Sequence, residues 1–335
     1  MLVTGGAGFI GSHLTDLLLE RGDHVTVIDD LSTGRRENLP ASHERLRLIV
    51  SDLAGALREM GEGERFDEVY HLAAAVGVRL IIEEPVRSIE TNVDQTAAAL
   101  RFALTHGPAE GRPAAVLVAS SSEVYGKAAK SPFAEDDDVV YGPTTKTRWS
   151  YACSKAIDEY LALAHHRQNG LPAVVARFFN TVGPRQVGRY GMVLPNFVEA
   201  AIAGRDLEVH GDGTQSRCFC DVRDVARALP RLLATPACHG RVFNVGSDRA
   251  VTIRELAELV IATLGSASRV RLVPYEEAYA AGFEDLKQRQ PDLTRIRAAI
   301  GFEPERTLEE TIRDLAASMG WTGAGTARAA GGGGR

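Results

Sequence analysis

Two short stretches of this 335-residue chain have the residue types and spacing to do chemistry. The first is Gly5-Gly6-Ala7-Gly8-Phe9-Ile10-Gly11, which follows Leu2-Val3-Thr4 directly. It contains G-x-G-x-x-G together with a glycine spacing at Gly5, Gly8 and Gly11. Glycine at these places permits a tight turn, close backbone approach to a pyrophosphate and close helix packing, while the helix N-terminus supplies N–H donors and partial positive charge. An unligated glycine turn would look the same in isolation. Asp29 separates the two readings: it follows a second strand, near the distance of about 20 residues at which a carboxylate holds adenosine ribose hydroxyls. Asp29 would repel a 2′-phosphate, so NAD is expected rather than NADP, although Arg35 and Arg36 follow closely.

The second stretch is Tyr151-Ala152-Cys153-Ser154-Lys155. Its ends are four residues apart, so on a helix the phenol and the ammonium share one face. A phenol ionises near pH 10, and bringing it to about 7 takes roughly 4 kcal/mol of extra phenolate stabilisation. A neighbouring Lys155 and a bound nicotinamide cation can supply this, which makes Tyr151 an acid–base candidate. An isolated pair of this kind is more often an amphipathic helix with an exposed lysine. Ser120-Ser121-Ser122 argues for chemistry here, because these serines close a strand at 115–119, and strand C-terminal ends face the ligand crevice of a doubly wound sheet.

Both stretches need a scaffold that sets strand ends beside helix starts. β-Branched runs at residues 2–4, 24–28, 46–50, 68–72, 115–119 and 173–177 alternate with longer helical patterns. That alternation predicts βαβ units and a parallel sheet covered on both faces. The first helix is expected over about 11–21 and stops at Gly22, where positive φ suits a helix C-terminus. After Asn180 the pattern changes, with Gly183, Pro184, Gly188, Gly191 and Pro195 in quick succession. A capping box at Thr252-Ile253-Arg254-Glu255 then opens a helix with an apolar stripe at Leu256, Val260 and Leu264, ended by Gly265. The expected fold is α/β: a Rossmann doubly wound parallel sheet over residues 1–180, rejoined by a segment near 216–246, and a smaller C-terminal α/β substrate domain mainly over 181–319. Residues 320–335 are too rich in Gly and Ala to bury apolar surface and are expected as a disordered tail.

Composition narrows the functional classes. A hydrophobic content of 44% is ample for a buried core, and a net charge of −6 with both signs interspersed leaves no broad basic surface for nucleic acid. No apolar run reaches the roughly 20 residues needed to cross a bilayer, and the chain enters a strand with no charged-then-apolar leader. A cytoplasmic enzyme without membrane or nucleic-acid partners is expected. Cys153, Cys218, Cys220 and Cys238 are too irregularly spaced for a disulfide scaffold or zinc cage, so free thiols and no metal site are expected. Cys218 and Cys220 are read as sharing one face of a strand, and His165-His166 as a helix-end surface pair.

Taken in order, Thr4 to Gly11, Asp29, His71-Leu72-Ala73-Ala74, Asn92, Ser120 to Gly126, the Tyr151/Lys155 pair and Arg177-Phe178-Phe179-Asn180 resemble the motifs of extended short-chain dehydrogenases/reductases acting on nucleotide sugars. The resemblance covers about residues 1–319. It implies NAD contacts from Gly5, Gly8, Phe9, Ile10, Gly11, Asp29, Asp52, Leu53, Leu72, Ala73, Ala74, Asn92, Tyr151 and Lys155. Within that group, 4-epimerases usually carry a small residue where Glu123 stands and 4,6-dehydratases an Asp-Glu pair. Ser121-Ser122-Glu123 is similar to the UDP-glucuronate decarboxylases, as are Gly142-Pro143-Thr144-Thr145-Lys146-Thr147-Arg148-Trp149-Ser150-Tyr151 and Arg289-Gln290-Pro291-Asp292.

On that likeness the expected reaction is NAD-dependent decarboxylation of UDP-glucuronate, giving UDP-xylose or a UDP-4-keto-pentose. Oxidation at C4 puts a ketone β to the C6 carboxylate, so carbon dioxide can leave with the ketone accepting its electrons. Tyr151 would remove the C4 hydroxyl proton, NAD take the hydride and Ser121 or Ser122 hydrogen-bond the ketone. Glu123, near the substrate carboxylate, would disfavour its ionised ground state or orient a proton, and Arg289 would bind the acid or help protonate C5. By residue type alone Glu123 is equally a solvated loop acid and Arg289 a surface ion pair; the resemblance separates these readings.

At the nucleotide end, Gly211-Asp212-Gly213 leads to Arg217, whose fork suits a diphosphate. The resemblance puts Arg217 on the UDP phosphates and Asn180 and Val193 along the sugar nucleotide. Arg185 and Arg189 are further candidates, for which helix-end or turn charges are the alternative. A 4-epimerase of a UDP-hexose or UDP-uronic acid and a non-catalytic nucleotide-sugar-binding relative remain open, as does a homodimer implied through the helices near 92–106 and 151–169.

Overall fold

The computed structural model describes residues 1–74, 84–109, 111–188, 192–274 and 288–323. Arg189, Gly191 and residues 324–335 of the expected tail lie outside the described residues.

Strands β1 (Leu2–Thr4), β2 (Val25–Asp29), β3 (Leu46–Val50), β4 (Glu68–His71), β5 (Ala115–Ser121), β6 (Ala173–Phe178) and, later in the chain, β11 (Arg241–Val245) form one sheet in the order β3-β2-β1-β4-β5-β6-β11. Every pairing in it is parallel. Neighbouring residues on a strand enter opposite cores: Leu2, Val116, Val118 and Val175 face one side, Val3, Leu117 and Val174 the other. Apolar residues at consecutive positions are what a sheet covered on both faces requires. Helices α1 (Phe9–Glu20) and α6 (Val222–Ala234) pack together on one side, burying Leu14, Leu18, Leu229 and Leu232. On the other, α2 (Leu53–Glu59), α3 (Pro85–Thr105) and α4 (Ser150–Asn169) bury Leu100, Ala103 and Ala162. Each leucine so buried contributes roughly 2 kcal/mol, which is what holds helix starts against strand ends. Strand order reverses between β1 and β4, opening the crevice where a dinucleotide lies in such sheets.

Strands β2, β4 and β6 differ from the sequence reading by one residue at one end or both, and two boundaries differ by two residues. Helix α1 begins at Phe9 rather than near Gly11, because the third glycine sits inside its first turn against Gly5. Strand β5 runs on to Ser121, since its pairing with β6 continues as far as Phe178.

A smaller lobe has its own core of Leu194, Phe197, Val198, Leu256, Val260, Ile312 and Leu315. It is built on α5 (Val193–Ile202), α7 (Ile253–Leu264) and α9 (Leu308–Ser318). Two small sheets belong to it: β8 (Leu207–His210) with β13 (Val270–Val273), and β9 (Ser216–Cys218) between β12 (Ala250–Thr252) and β14 (Gln288–Arg289). The capping box at Thr252 and Glu255 opens α7, and Gly265 ends it with φ of +61°. The chain then runs through β10 (Cys220–Asp221), which pairs with β7 (Thr181–Val182) in a separate two-stranded sheet, and after α6 rejoins the large sheet at β11; α8 (Thr294–Ile300) lies along β11. Cys218 and Cys220 therefore stand in different sheets rather than on one strand, because the crossover falls between them; both thiols are free and buried. Among the described residues no helix is long and apolar enough to cross a membrane.

Candidate active site

The cofactor side of the crevice is built from backbone. Gly5 takes φ of +71°, and a Cβ there would sit 2.8 Å from the Ala73 nitrogen, so only glycine lets the turn lie against the end of β4. Gly8 precedes α1 with extended backbone and no side-chain cap, which leaves the first N–H groups of the helix available to an anion. Asp29 ends β2; its oxygens accept from the N–H groups of Ala7 and Leu31, each at 2.9 Å. Burial raises the Asp29 pKa against those bonds. Each carboxylate oxygen keeps a lone pair for a ribose hydroxyl. Asn38, which sequence reasoning missed, donates to the Ala7 carbonyl at 2.8 Å, while Arg36 is committed to the Pro40 and Ala41 carbonyls at 3.0 and 3.1 Å.

Other expected cofactor residues have visible structural work. Phe9 and Ile10 form the first turn of α1, and Leu72, Ala73 and Ala74 line the exit of β4 half-buried. Asp52 caps α2 by accepting the Gly55 N–H at 2.8 Å, with Leu53 buried behind it. Asn92, buried on α3, donates to Ser154 of α4 at 3.3 Å. A cradle that any Cβ would fill, an uncapped helix start and an acid at the end of β2 together fit the pyrophosphate and ribose of NAD.

Across the crevice, α4 places Tyr151 in its first turn and Lys155 one turn on, both buried. The Ser121 hydroxyl faces the Tyr151 phenol, favouring its ionised form, and Ser121 accepts the Glu123 N–H at 3.2 Å. Buried Ser122 and then Glu123 start the short helical turn Ser122–Tyr125 that follows β5. The strand end is locked from below. Arg177 of β6 donates twice to Glu159 of α4, at 2.9 and 2.7 Å, and Ser120 donates to the same carboxylate.

Glu123 is neither solvated nor protonated. Its oxygens lie 2.6 Å from Arg289 Nη1 and 2.7 Å from Arg148 Nη1. Burial works against its charge, but the Arg289 and Arg148 guanidiniums prevail and hold the carboxyl at about 2. Glu123 is therefore an anion held between two cations, and it departs from the solvated loop acid that residue type alone allows. Arg148 was missed as a site residue, although it stands only three positions before Tyr151.

A second correction concerns the dyad. The Lys155 ammonium lies 2.7 Å from Asp158 Oδ2, and both side chains are buried. Burial, then Glu123 and Asp158, push the Tyr151 pKa up, with Ser121 opposing them. Lys155 turns to Asp158 because, away from water, a full carboxylate charge attracts an ammonium more strongly than a neutral phenol does. The i to i+3 spacing of Lys155 and Asp158 was legible in the sequence.

Toward the smaller lobe, β14 pairs in parallel with β9, so Arg289 lies beside Arg217, both under one-tenth exposed. Arg289 Nε is buried without a partner among the described residues. Arg217 Nη1 donates to the Ser216 carbonyl at 2.8 Å. Asn180 bridges β6 and β7, its carbonyl accepting the Cys220 N–H at 3.0 Å, and Val193 begins α5. Arg185 Nη2 lies 2.7 Å from Asp16 of α1, while its Nη1 is buried without a partner among the described residues.

The crevice thus offers a dinucleotide cradle on one side and groups that can move a hydroxyl proton on the other, the layout of an NAD-dependent enzyme of the short-chain dehydrogenase type. Residues 1–246 match the model of the NAD dependent epimerase/dehydratase family, and the chain belongs to that family. It is 40% identical over 320 residues to the UDP-N-acetyl-alpha-D-glucosaminuronate decarboxylase of Bacillus cytotoxicus, covering 93% of this chain and 96% of that one. With UDP-glucuronic acid decarboxylase 1 of Danio rerio it shares 34% identity over 314 residues, covering 93% and 70%. Among solved structures, the UDP-N-acetylglucosamine 4-epimerase of Methanobrevibacter ruminantium, in complex with UDP-N-acetylmuramic acid, matches with a TM-score of 0.82 and 31% identity over 95% of this chain and 97% of that one.

Proposed function

We propose that the protein decarboxylates a UDP-linked hexuronic acid, UDP-glucuronate or its 2-acetamido counterpart, through a C4 ketone. The observation that carries this reading is the Glu123 anion clamped by Arg289 and Arg148 beside Tyr151, with Arg289 Nε left over as a buried donor for a second acid. NAD, held by the glycine turn and Asp29, supplies the hydride acceptor at C4. Tyr151 takes the C4 hydroxyl proton, and Ser121, which faces the phenol, donates to the C4 oxygen as it becomes a carbonyl. Arg289 holds the C6 carboxylate with the donor that Glu123 does not use. The C5–C6 bond then breaks, its electron pair passes to the C4 ketone, carbon dioxide departs and C5 is reprotonated. Glu123 orients both guanidiniums and, being anionic, disfavours a second carboxylate in the ground state. Arg217 and Asn180 serve the UDP end in this reading.

A 4-epimerase of a UDP-hexose or UDP-uronic acid is the second reading, favoured by the match to a solved 4-epimerase over nearly the whole chain. The finer proposals are a cytoplasmic location, a division into cofactor-binding residues 1–180 and mainly substrate-binding residues 181–319, and a homodimer through α3 and α4. The last is supported by Val86, Ile89, Ile157 and Tyr160, which remain exposed there. Incubation with NAD and each UDP-uronate, with products resolved by mass, tests the reaction. Loss of carbon dioxide supports it, isomerisation at constant mass supports the epimerase, and no change would indicate a binding protein. Glu123→Ala and Arg289→Ala are expected to keep NAD binding and lose carbon dioxide release.

A further inference from the structure

A carboxylate that this reaction does not use lies under the dyad. Asp158 is completely buried on α4, and its Oδ2 accepts from the Lys155 ammonium at 2.7 Å. The Thr96 hydroxyl of α3 lies near the same carboxylate, whose Oδ1 is buried without a hydrogen-bond partner among the described residues, and meets His71 Nε2 at 3.1 Å. His71 Nδ1 in turn meets Thr4 Oγ1 at 2.8 Å, and Thr4 Oγ1 accepts the Ala73 N–H at 3.2 Å. A buried polar line therefore runs from Lys155 to the residues against which the glycine turn is packed. The groups facing it are Lys155 and Glu159 of α4, the latter tied to Arg177 of β6 and Ser120 of β5, and Glu123 beyond Tyr151. Strand β4 contributes His71, kept neutral with its pKa lowered to about 3 by burial and the Lys155 charge. Helix α3 contributes the uncharged Ser88, Asn92 and Thr96.

We propose that Asp158 is a positioning residue for the acid–base step: as the counter-ion of Lys155 it draws the ammonium away from the phenol, so that Tyr151 and Lys155 work as a triad with a carboxylate. This rests on Tyr151 being the acid–base group of the proposed reaction. Burial and the Glu159 charge raise the Asp158 pKa, and the Lys155 charge opposes them, so the ammonium is what favours the carboxylate's ionised form.

Tyr151 is titrated in the full-length protein, with and without NAD, by phenolate absorbance taken as the difference from the matching Tyr151→Phe protein. Asp158→Asn removes a negative charge beside the phenol and releases the ammonium. The phenolate midpoint is expected to fall by roughly one pH unit or more, and the low-pH limb of kcat to move down with it. Removing one partner of a buried ion pair is strongly destabilising. Should that variant not fold, Lys155→Met combined with Asp158→Asn buries no unpaired charge and is expected to keep the midpoint at or below that of wild type. An unchanged midpoint in Asp158→Asn, or an upward shift in the double variant, overturns the proposal. The titration needs no substrate, so absence of turnover by the wild type rejects the reaction while the phenolate midpoints still decide the role of Asp158.

Discussion

Glu123 and Asp158 show how one residue type acquires opposite roles from its partners. Each is a carboxylate beside a cation, but half-buried Glu123 has two guanidiniums and is driven far below the usual carboxylate range, whereas the complete burial of Asp158 outweighs its single lysine. Glu123 therefore links stability to acid. Its folded pKa of about 2 lies below its ordinary value, so the stabilisation is complete above roughly pH 4.5 and is lost as pH falls through 2. The contribution amounts to at most about 3 kcal/mol. Denaturant midpoints measured from pH 5 downward are expected to decline less steeply in Glu123→Gln than in wild type, and parallel curves would contradict the clamp. The family resemblance, not residue type, made Glu123 and Arg289 visible in the sequence. It did not reveal Arg148, because nothing in a lone arginine says that its guanidinium meets a carboxylate from another element.

At the scale of elements, the glycine turn is the part the sequence described best. Its spacing is set by contacts within a few residues: a Cβ on Gly11 would lie 2.1 Å from the Gly5 carbonyl oxygen and 2.8 Å from the Gly6 Cα. Backbone atoms on both sides leave no flexible group to yield. Gly11→Ala is accordingly expected to open the turn and weaken NAD binding by at least about 100-fold, roughly 3 kcal/mol, as read by calorimetric titration. Retained affinity would show that the cradle does not hold the pyrophosphate. Helix α7 was equally legible, since a capping box, an apolar stripe and a terminal glycine are all local. The ends of β5 and α1 were less so, because strand length depends on the neighbouring strand and helix start on how closely Gly11 packs on Gly5.

For the molecule as a whole, His71 joins the large sheet to its α3–α4 cover through Thr4 and Thr96. Its pKa, lowered to about 3, means that the folded state keeps the imidazole neutral. The unfolded chain binds that proton near pH 6.5, so stability is whole above this value and declines as pH falls toward 3. The slope attributable to one such group is at most about 1.4 kcal/mol per pH unit. His71→Gln is expected to flatten the stability curve between about pH 6 and 4 by up to that amount, and an unaltered slope would show that the imidazole is charged in the fold. What the sequence determined by itself was the parallel α/β sheet, the cofactor turn with its acid and the residue types at the end of β5, because each is encoded within some 20 residues by period, turn chemistry or helical spacing. Only the tertiary structure decided which charges meet. Arg289 reaches Glu123 across 166 residues through the pairing of β14 with β9, and Lys155 turns to Asp158. Once water is excluded, attraction depends on distance and burial, and neither is a property of one residue or its near neighbours.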